Sequence, residues 1–450
     1  MKLSLLEKYD KPTPRYTSYP TVPYWEMPPT QEEWMQLVQK RTELHPEISV
    51  YVHLPYCEQL CTYCGCNKRI TVNHAVEEPY VESLIQEWEL YLRNFPRKPI
   101  LKELHLGGGT PTFFSPKNLD DFISRLLATV EVPENHAYAF EAHPNNTTVD
   151  HLRVLHNNGF NRVSIGVQDF SPVIMSAINR RQSEAEVFRL TESARRLNYD
   201  SINFDFVYGL PFQRLQHIEY DLEKLEQLMP DRVAYYSYAH VPWKQAGQRK
   251  FTEADIPQSV DKRALYETAS EGLERLGYHA IGMDHFALPT DDLYRSAAQG
   301  SLHRNFMGYT PYPTSLLIGL GTSAISDAGE AFVQNATNVE DYREGVAAGR
   351  LPIFRGHQLH EEDQLLRDHI LNIMCRFGTD WEVGELQTSH SLERAYLRLQ
   401  DMEKDGLVKL NGSSVSVTTT GAPFIRNIAQ CFDDRYWQKQ PTESLFSKTL

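Results

Sequence analysis

Cysteine is scarce in this chain, and its distribution is uneven. Six cysteines occur among 450 residues, and four of them fall within ten residues, between positions 57 and 66. A disulfide framework in a secreted protein would distribute paired cysteines along the chain, so this pattern excludes one. The crowding instead indicates a metal site in a reducing compartment.

The chain also lacks an excess of basic charge and any long apolar run. Its net charge is −14 and its pI about 5.7, so no positive field is available to attract nucleic acid. Charged residues interrupt the start before a run of signal length, and no stretch is long enough to span a bilayer. We therefore expect a cytoplasmic protein with neither a nucleic-acid nor a membrane partner. Because no long heptad repeat or large apolar stripe is evident, we also expect a monomer.

The four clustered cysteines have the order Cys-x3-Cys-x2-Cys-x-Cys, at Cys57, Cys61, Cys64 and Cys66. Iron–sulfur clusters are held by cysteine thiolates, and short loops bring such sulfurs together. Four thiolates also suit tetrahedral zinc, although zinc sites usually take their ligand pairs from two separated loops. The first three cysteines match the loop of radical S-adenosylmethionine (SAM) enzymes. In those enzymes three thiolates hold a [4Fe-4S] cluster, and its fourth iron binds SAM.

Strand-like and helix-like segments alternate along most of the chain, which predicts a parallel sheet with right-handed crossovers. The expected strands cover residues 49–54, 100–106, 137–142, 162–168, 201–208, 232–240 and 278–286. Six or seven such units favour an α/β fold with a partial (β/α)6-type barrel over a complete eight-fold barrel. In such folds the chemistry lies at the carboxyl ends of the strands.

The character of the sequence changes after about residue 352. Residues 361–377 and 391–405 have amphipathic helical patterns, and 406–410 with 414–418 resemble a hairpin. We expect four regions: an arm covering the active site at 1–45, the barrel at 46–290, an extension with substrate-lining loops at 291–355, and a mainly helical, winged-helix-like domain at 356–450.

Polar residues and glycines follow several of the predicted strands. Gly-Gly-Gly-Thr-Pro at 107–111 lets backbone groups approach a ligand closely, but it lacks the Gly-Lys-Ser/Thr of a phosphate-binding loop. Read alone, it could simply be a tight turn. Glu141, Gln168, Arg180 and Asp205 lie at or near successive strand ends and offer groups that a nucleoside–amino-acid ligand requires. We expect them to share one binding face.

Two further segments are candidates for the substrate pocket. Pro-Arg-Tyr-Thr-Ser-Tyr-Pro-Thr at 14–21 could cover the pocket and present Arg15 and Tyr16, or it could be a packing arm. His-Arg-Asn-Phe-Met-Gly-Tyr at 303–309 could line a large, flat, partly anionic ligand through Arg304 and Phe306. His285 is a further pocket candidate, and a core or supporting role is the alternative for it.

Taken together, these motifs resemble the oxygen-independent coproporphyrinogen III dehydrogenase family of radical SAM enzymes. The resemblance covers almost the whole chain, and the cysteine loop by itself identifies only the superfamily. The arm and Cys66 point to the dehydrogenases. The matching segments are residues 14–21, 51–55, 57–68, 106–112, 166–170, 208–211, 238–240, 282–287, 303–306 and 323–326.

Carried over residue by residue, the resemblance assigns roles to positions of this sequence. It implies Cys57, Cys61 and Cys64 as cluster ligands and leaves Cys66 without that role. Around the SAM that binds the cluster it places Tyr51, Tyr63, Gly108 and Glu141. A second SAM would lie beside Gly109, Thr110, Gln168, Arg180, Asp205, Ala239 and Ile325.

The resemblance implies oxidative decarboxylation of two propionates of coproporphyrinogen III to vinyl groups, with a low-potential donor such as flavodoxin or ferredoxin. Two other functions are open: a haem chaperone on the same fold and a radical SAM tetrapyrrole methyltransferase. The chaperones lack the Tyr-Thr-Ser-Tyr-Pro arm, so its presence favours the dehydrogenase. Two departures stand out. Met307 replaces a family Gln, and Glu-Ala-His-Pro at 141–144 replaces Glu-Val-Asp-Pro.

Overall fold

A computed structural model describes residues 3–243, 245–382, 384–441 and 446 of the chain. Its helices are α1 (Leu3–Tyr9), α2 (Gln31–Leu44), α3 (Glu77–Leu92), α4 (Pro116–Leu127), α5 (Val149–Asn157), α6 (Pro172–Ala177), α7 (Glu184–Arg196), α8 (Leu215–Leu228), α9 (Ser259–Arg275), α10 (Asp292–Ala298), α11 (Val339–Ala347), α12 (Glu361–Arg376), α13 (Glu385–Thr388), α14 (His390–Lys404), α15 (Ile425–Gln430) and α16 (Asp434–Gln438).

The strands range in length from two residues to nine. They are β1 (Glu47–Leu54), β2 (Tyr56–Cys57), β3 (Arg69–Ile70), β4 (Ile100–Gly108), β5 (Ala137–Ala142), β6 (Arg162–Gln168), β7 (Ser201–Tyr208), β8 (Arg232–Ser237), β9 (His279–Ile281), β10 (His285–Ala287), β11 (His303–Asn305), β12 (Gly308–Thr310), β13 (Leu317–Leu320), β14 (Ile325–Asp327), β15 (Ala331–Asn335), β16 (Ile353–Gln358), β17 (Gly378–Asp380), β18 (Val408–Leu410) and β19 (Ser414–Val417). The longest are β4, β1 and β7.

One large mixed sheet organises the molecule. Its strand order within the described residues is β16-β15-β14-β13-β1-β4-β5-β6-β7-β8-β10-β9. The strands from β13 to β8 run parallel, and antiparallel strands extend the sheet at both edges. The two edge strands, β16 and β9, are not paired with each other. The expected α/β fold with an open, partial barrel of six strand–helix units is therefore confirmed.

The parallel strands are largely buried, as expected for a sheet covered by helices. Val50, Val52, Leu104 and Leu106 belong to a single apolar core that continues through the following strands and the inner faces of the helices. Local capping signals set where those helices begin. For example, Ser183 and Glu186 form a reciprocal capping box at the start of α7.

One predicted strand is wrong. Residues 278–286 do not form a single parallel strand; they form β9 and β10, which pair antiparallel around a turn. Gly282 makes this turn with a φ of +61°, and the ring of Tyr309 lies so close that a Cβ on Gly282 would meet it at 2.1 Å. The hairpin places His285 beside β8 at the edge of the parallel strands.

The first residues of the chain divide between two cores. Trp34 and Val38 of α2 pack into the core of the large sheet. Leu5, Tyr9, Tyr16 and Tyr19 instead pack with α12, α14 and α15 in a second core. The segment around Arg15 therefore runs between the sheet and the C-terminal region.

The C-terminal region is mainly helical, as predicted. The expected hairpin is present as β18 and β19, and β17 joins it to give a three-stranded antiparallel sheet. This sheet packs with α12 and α14 around Leu399 and Val415. Among the described residues, none of the helices combines the length and apolar character needed to cross a bilayer.

Candidate functional site

One large cavity of about 1210 Å³ lies along the inner side of the parallel strands, from their first residues, such as Arg162 and Arg232, to their carboxyl ends. The carboxyl ends meet at a common edge, where the topology of parallel strands places a ligand site. The cavity brings together most of the residues singled out from the sequence. Its lining includes Arg15, Cys57, Cys61, Tyr63, Cys64, Gly108, Gly109, Thr110, Glu141, Gln168, Arg180, Asp205, Ala239 and His285.

The three expected cluster ligands lie on one loop after β1 and are all free thiols. Cys57 Sγ lies 3.3 Å from Thr110 Oγ1, and Arg180 Nη1 donates to Cys61 Sγ at 3.6 Å. A hydrogen bond with Cys66, together with the charges of Lys68 and Arg180, lowers the pKa of Cys64 to about 6. Burial raises the pKa of Cys57 to about 11.

These residues fit a [4Fe-4S] cluster. Three half-buried thiols face the same cavity, and two cationic side chains lie beside them to balance thiolate charge. No three His, Cys, Asp or Glu side chains of the described residues converge closely enough to hold a single ion. A cubane cluster does not require its ligands to converge on one point, because each thiolate binds a different iron. The site thus has one ligand for each of three irons.

The glycine turn after β4 approaches the cysteine loop at backbone distance. A Cβ on Gly109 would lie 2.6 Å from the backbone carbon and oxygen of Pro55, so only glycine fits there. Gly108 has a φ of +114°, and the ring of His53 occupies the space where its Cβ would lie. Gly109 N donates to Leu54 O at 2.8 Å, which ties the turn to the end of β1.

Glu141 projects from β5 towards this glycine turn. Its Oε2 accepts from Gly108 N at 3.3 Å, and its Oε1 lies 3.5 Å from His105 Nε2. His105 in turn stacks on Tyr51, with ring centroids 5.9 Å apart. Glu141 keeps a half-exposed carboxylate on the cavity wall, which suits it to accept from the amine or hydroxyls of a ligand.

The next group of polar side chains comes from β6, from β7 and from the segment between α6 and α7. Gln168 has a φ of +71° at a register shift between β6 and β7, and such irregularities re-aim side chains near active sites. Arg180 is 8% exposed and donates to Gly166 O at 2.5 Å and to Gln182 Oε1 at 2.8 Å. Burial raises the pKa of Asp205 to about 6, although Ser164 donates to this carboxyl.

His143 lies at the position where the sequence departs from the family pattern, and it also lines the cavity. Burial and the nearby charge of Arg180 lower its pKa well below the ordinary value, so it is neutral at physiological pH. Its Nδ1 accepts from Asn145 N at 3.2 Å. Met307, the other departure, lines the cavity as well.

Arg15 reaches the opposite side of the cavity from the N-terminal segment. Its Nη1 donates to Asp284 Oδ2 at 3.1 Å, and its guanidinium lies over the ring of Tyr236 at 5.6 Å. Arg426 holds the preceding turn in place, because its buried guanidinium donates to the carbonyls of Thr13 and Pro14. The C-terminal region therefore helps to fix where Arg15 points.

Five of the candidates do not line the cavity. Tyr16 is 1% exposed and donates to Asp433 inside the C-terminal core, so its proposed contact with substrate is not supported. Arg304 stacks over Tyr309 and donates to Arg15 O. Phe306 packs edge-on against Trp25 and Phe332. The other two are Tyr51, which lies behind the glycine turn, and Ile325 on β14.

Several lining residues were not anticipated from the sequence. Ser164 and Asn203 share the inward face of their strands with Gly166 and Asp205, and this alternation is a signal that was available. Other such residues are His105, Arg162, Arg232, Tyr236, Tyr238 and Tyr312. Arg162 and Arg232 could not be anticipated in this way, because an arginine at the start of a strand usually indicates a surface position.

The comparisons with known proteins agree with this site. Residues 51–225 match the family model of the radical SAM superfamily, and residues 359–424 match that of the HemN C-terminal domain. A fold with three thiolates and a glycine turn around one cavity defines a radical SAM protein.

Curated relatives narrow the family further. The chain is 36% identical to the oxygen-independent coproporphyrinogen III oxidase of Pseudomonas aeruginosa over 95% of both chains. It is 35% identical to that of Escherichia coli K12 over 100% of this chain and 98% of the relative. The solved structure of coproporphyrinogen III oxidase (HemN) from Escherichia coli superposes with a TM-score of 0.89 at 34% identity, covering 96% of this chain and 99% of that one. The chain belongs to the oxygen-independent coproporphyrinogen III oxidase family.

Proposed function

We propose that this protein oxidatively decarboxylates two propionate side chains of coproporphyrinogen III to vinyl groups, giving protoporphyrinogen IX without oxygen. The observation that carries this conclusion is that the cluster site and the substrate space share one cavity. This cavity joins a three-thiol cluster site to a space lined by Arg15, Tyr236 and His285, in a chain that matches oxygen-independent oxidases over nearly its full length. When bound, the cluster and SAM supply a carbon-centred radical that removes a hydrogen atom from the propionate.

The protein's own residues hold and orient the reactants. Cys57, Cys61 and Cys64 bind the cluster. The glycine turn and Glu141 contact the SAM that binds next to the cluster. The Arg15 guanidinium can hold a substrate carboxylate through two parallel hydrogen bonds. The two reacting carbon atoms, one on the radical and one on the propionate, must come within ~3 to 3.5 Å of each other. Only a small error in the position of the propionate is therefore tolerated.

Water must be kept from the reacting centre, and in this proposal the N-terminal segment does so. Tyr16 and Tyr19 are each 1% exposed and anchor the segment in the C-terminal core. Arg15, between Tyr16 and the carbonyls held by Arg426, can then face the cavity from a fixed backbone. A closed cavity also strengthens each polar contact inside it.

We extend this proposal to several finer features of the protein. A second SAM would bind beside Gln168, Arg180 and Asp205, a view supported by their common position on the cavity wall. We also propose a monomer in the cytoplasm, reduced by flavodoxin or ferredoxin. The same division into regions, at 1–45, 46–290, 291–355 and 356–450, is proposed with the two matched family models as support.

An anaerobic assay tests the function directly. The protein is reconstituted with iron and sulfide, then given SAM, dithionite and coproporphyrinogen III, and the products are followed by mass together with CO2. We expect two CO2 per substrate and, after oxidation, protoporphyrin. Methylated product with S-adenosylhomocysteine would instead identify a methyltransferase, and haem bound without turnover would identify a chaperone. Zinc in place of iron would contradict all three radical SAM functions.

A further inference from the structure

Three segments interlock around the cysteine loop and form one continuous outer surface. Gln59 Nε2 donates to Asn179 O, and Asn179 Nδ2 donates back to Leu60 O, each at 2.8 Å. Gln248 Nε2 donates to Tyr63 O at 3.1 Å, and Lys250 Nζ donates to Ala177 O at 3.3 Å. Residues 57–68, residues 177–181 and the described part of the third segment (242–243 and 245–250) therefore belong to the same surface, which we call the cluster-side surface.

The charge of this surface is opposite to that of the whole chain. Among the described residues of its three segments, Arg181, Arg249 and Lys250 are exposed and Lys68 is partly exposed, whereas Glu58 is the one acid. The chain as a whole has 45 basic and 59 acidic residues. Glu58 is engaged by its neighbours, since Asn146 Nδ2 donates to it at 2.8 Å and His74 lies 3.4 Å away. A positive patch thus lies next to the cluster ligands.

Apolar side chains also reach solvent within the same surface. Trp243 is 55% exposed and Leu60 is 38% exposed. Aromatic residues and arginine are enriched in protein interfaces, and interfaces between redox partners are small and weakly bound. Positive charge around a few exposed apolar groups would attract an acidic partner and orient it, raising the rate of encounter.

We propose that the cluster-side surface, with Leu60, Trp243, Arg249 and Lys250 at its centre, docks a small acidic one-electron carrier protein of the flavodoxin or ferredoxin kind. The inference rests on the proposed function, because that reaction requires the cluster to be reduced. Each docking event oxidises the carrier by one electron and reduces the cluster held by Cys57, Cys61 and Cys64 by one electron. No atoms are exchanged.

Charge reversal tests this proposal. In the double variant Arg249→Glu/Lys250→Glu, the affinity of the reconstituted protein for a purified, oxidised acidic flavodoxin is measured by calorimetry at low and high salt. We expect at least tenfold weaker binding and loss of most of the salt dependence seen in the parent protein. Product formation driven by reduced flavodoxin should fall, while that driven by dithionite should not, since dithionite needs no docking site.

The chain supplies a matched control. Arg97 and Lys98 are also adjacent and exposed, but they precede the amino end of β4, at the opposite edge of the sheet from the cysteine loop. Arg97→Glu/Lys98→Glu changes the net charge equally and should leave flavodoxin binding within about twofold of the parent. A second test variant, Trp243→Ser, removes exposed apolar area without altering charge and should weaken binding several-fold.

Three results would overturn the docking proposal: no measurable binding of the flavodoxin to the parent, unchanged affinity in the Arg249→Glu/Lys250→Glu variant, or an equal loss in the control. Failure of the parent with dithionite and coproporphyrinogen III would instead contradict the proposed function. The binding measurement does not depend on turnover, so the two failures are distinguishable.

Discussion

Arg15 and Asp284 form an ion pair across the cavity wall, with 3.1 Å between Arg15 Nη1 and Asp284 Oδ2. The other carboxylate oxygen, Oδ1, lies 2.6 Å from His285 Nδ1. Burial would raise the pKa of Asp284, but His285, Arg15 and Arg304 together hold it well below its usual range. Asp284 is therefore ionised, and it orients two side chains that face the cavity.

Replacing this carboxylate should impair substrate binding more than chemistry. In Asp284→Asn the amide has one acceptor oxygen and no charge, so it cannot hold both Arg15 and His285 as the two carboxylate oxygens do, and these side chains lose their fixed orientation. We expect KM for coproporphyrinogen III to rise about tenfold, equivalent to ~1.4 kcal/mol, with a smaller change in kcat. Steady-state kinetics under anaerobic conditions measure both. The exposed Asp261→Asn serves as control, and an unchanged KM in Asp284→Asn would contradict this role.

The glycine turn allows a test in which sterics alone differ. Gly109→Ala would force a Cβ to within 2.6 Å of the Pro55 backbone, and neither backbone can move without disturbing the end of β1. We expect SAM binding to weaken at least tenfold, measured by equilibrium dialysis of the reconstituted protein. Gly65→Ala is the matched control, since nothing lies within 4 Å of the position its Cβ would take. Equal effects from both substitutions would rule out the steric explanation.

The cysteine assignment predicts an unequal response among four neighbouring residues. Cys57→Ser, Cys61→Ser and Cys64→Ser should each lose most of the iron, acid-labile sulfide and visible absorbance after reconstitution, because each removes the only thiolate of one iron. Cys66→Ser should keep the cluster, although its thiol hydrogen-bonds with Cys64. Loss of the cluster in Cys66→Ser alone would require a different set of three ligands.

The arrangement of the sheet was largely predictable because it depends on local patterns. Apolar runs separated by amphipathic helices determine parallel strands, and the bounds expected for 137–142, 162–168 and 201–208 match β5, β6 and β7. Residues 278–286 were misread because a single glycine, Gly282, turns the chain in the middle of the expected strand. The signal for that turn is the position of Tyr309, which is 27 residues away in sequence and adjacent only in the fold.

The site was predictable where it depends on strand ends and unpredictable where it depends on long-range packing. Glu141, Gln168 and Asp205 share the cavity because their strands end at the same edge. Tyr16 is an example of the second kind, because its position in the C-terminal core involves a hydrogen bond to Asp433, at the other end of the chain. A motif rich in tyrosine does not indicate which of its rings faces a ligand and which joins a neighbouring core.

Asp169 and Asp221 form a buried acidic pair. Asp169 follows the last residue of β6, Gln168, and Asp221 lies on α8. Asp169 accepts from Ser171 N and Gln213 Nε2, and Asp221 Oδ1 accepts from Phe170 N. Asp221 Oδ2 has no hydrogen-bond partner among the described residues. Burial raises the pKa of Asp169 to about 7, and burial together with Asp169 raises that of Asp221 well above its usual value.

This pair should make stability depend on pH, with a definite sign. An aspartate in the unfolded chain releases its proton near pH 4, whereas these carboxyls keep theirs in the folded state up to about pH 7 or beyond. The unfolded state therefore binds fewer protons in this window, and the free energy of unfolding contributed by the pair falls as pH rises from about 4 to about 7.

Asp221→Asn should remove the part of this dependence that Asp221 contributes, because an amide carries no charge to bury, whereas the part that comes from the burial of Asp169 remains. Relative to the parent, the free energy of unfolding of Asp221→Asn should rise by about 2 kcal/mol between pH 5 and pH 8, measured by urea titration at both pH values. The exposed Asp261→Asn should show a constant difference from the parent across the same range. A difference for Asp221→Asn that stays constant or shrinks would mean that both carboxyls are already ionised in the folded protein, with the three donors around them sufficient to stabilise the charges.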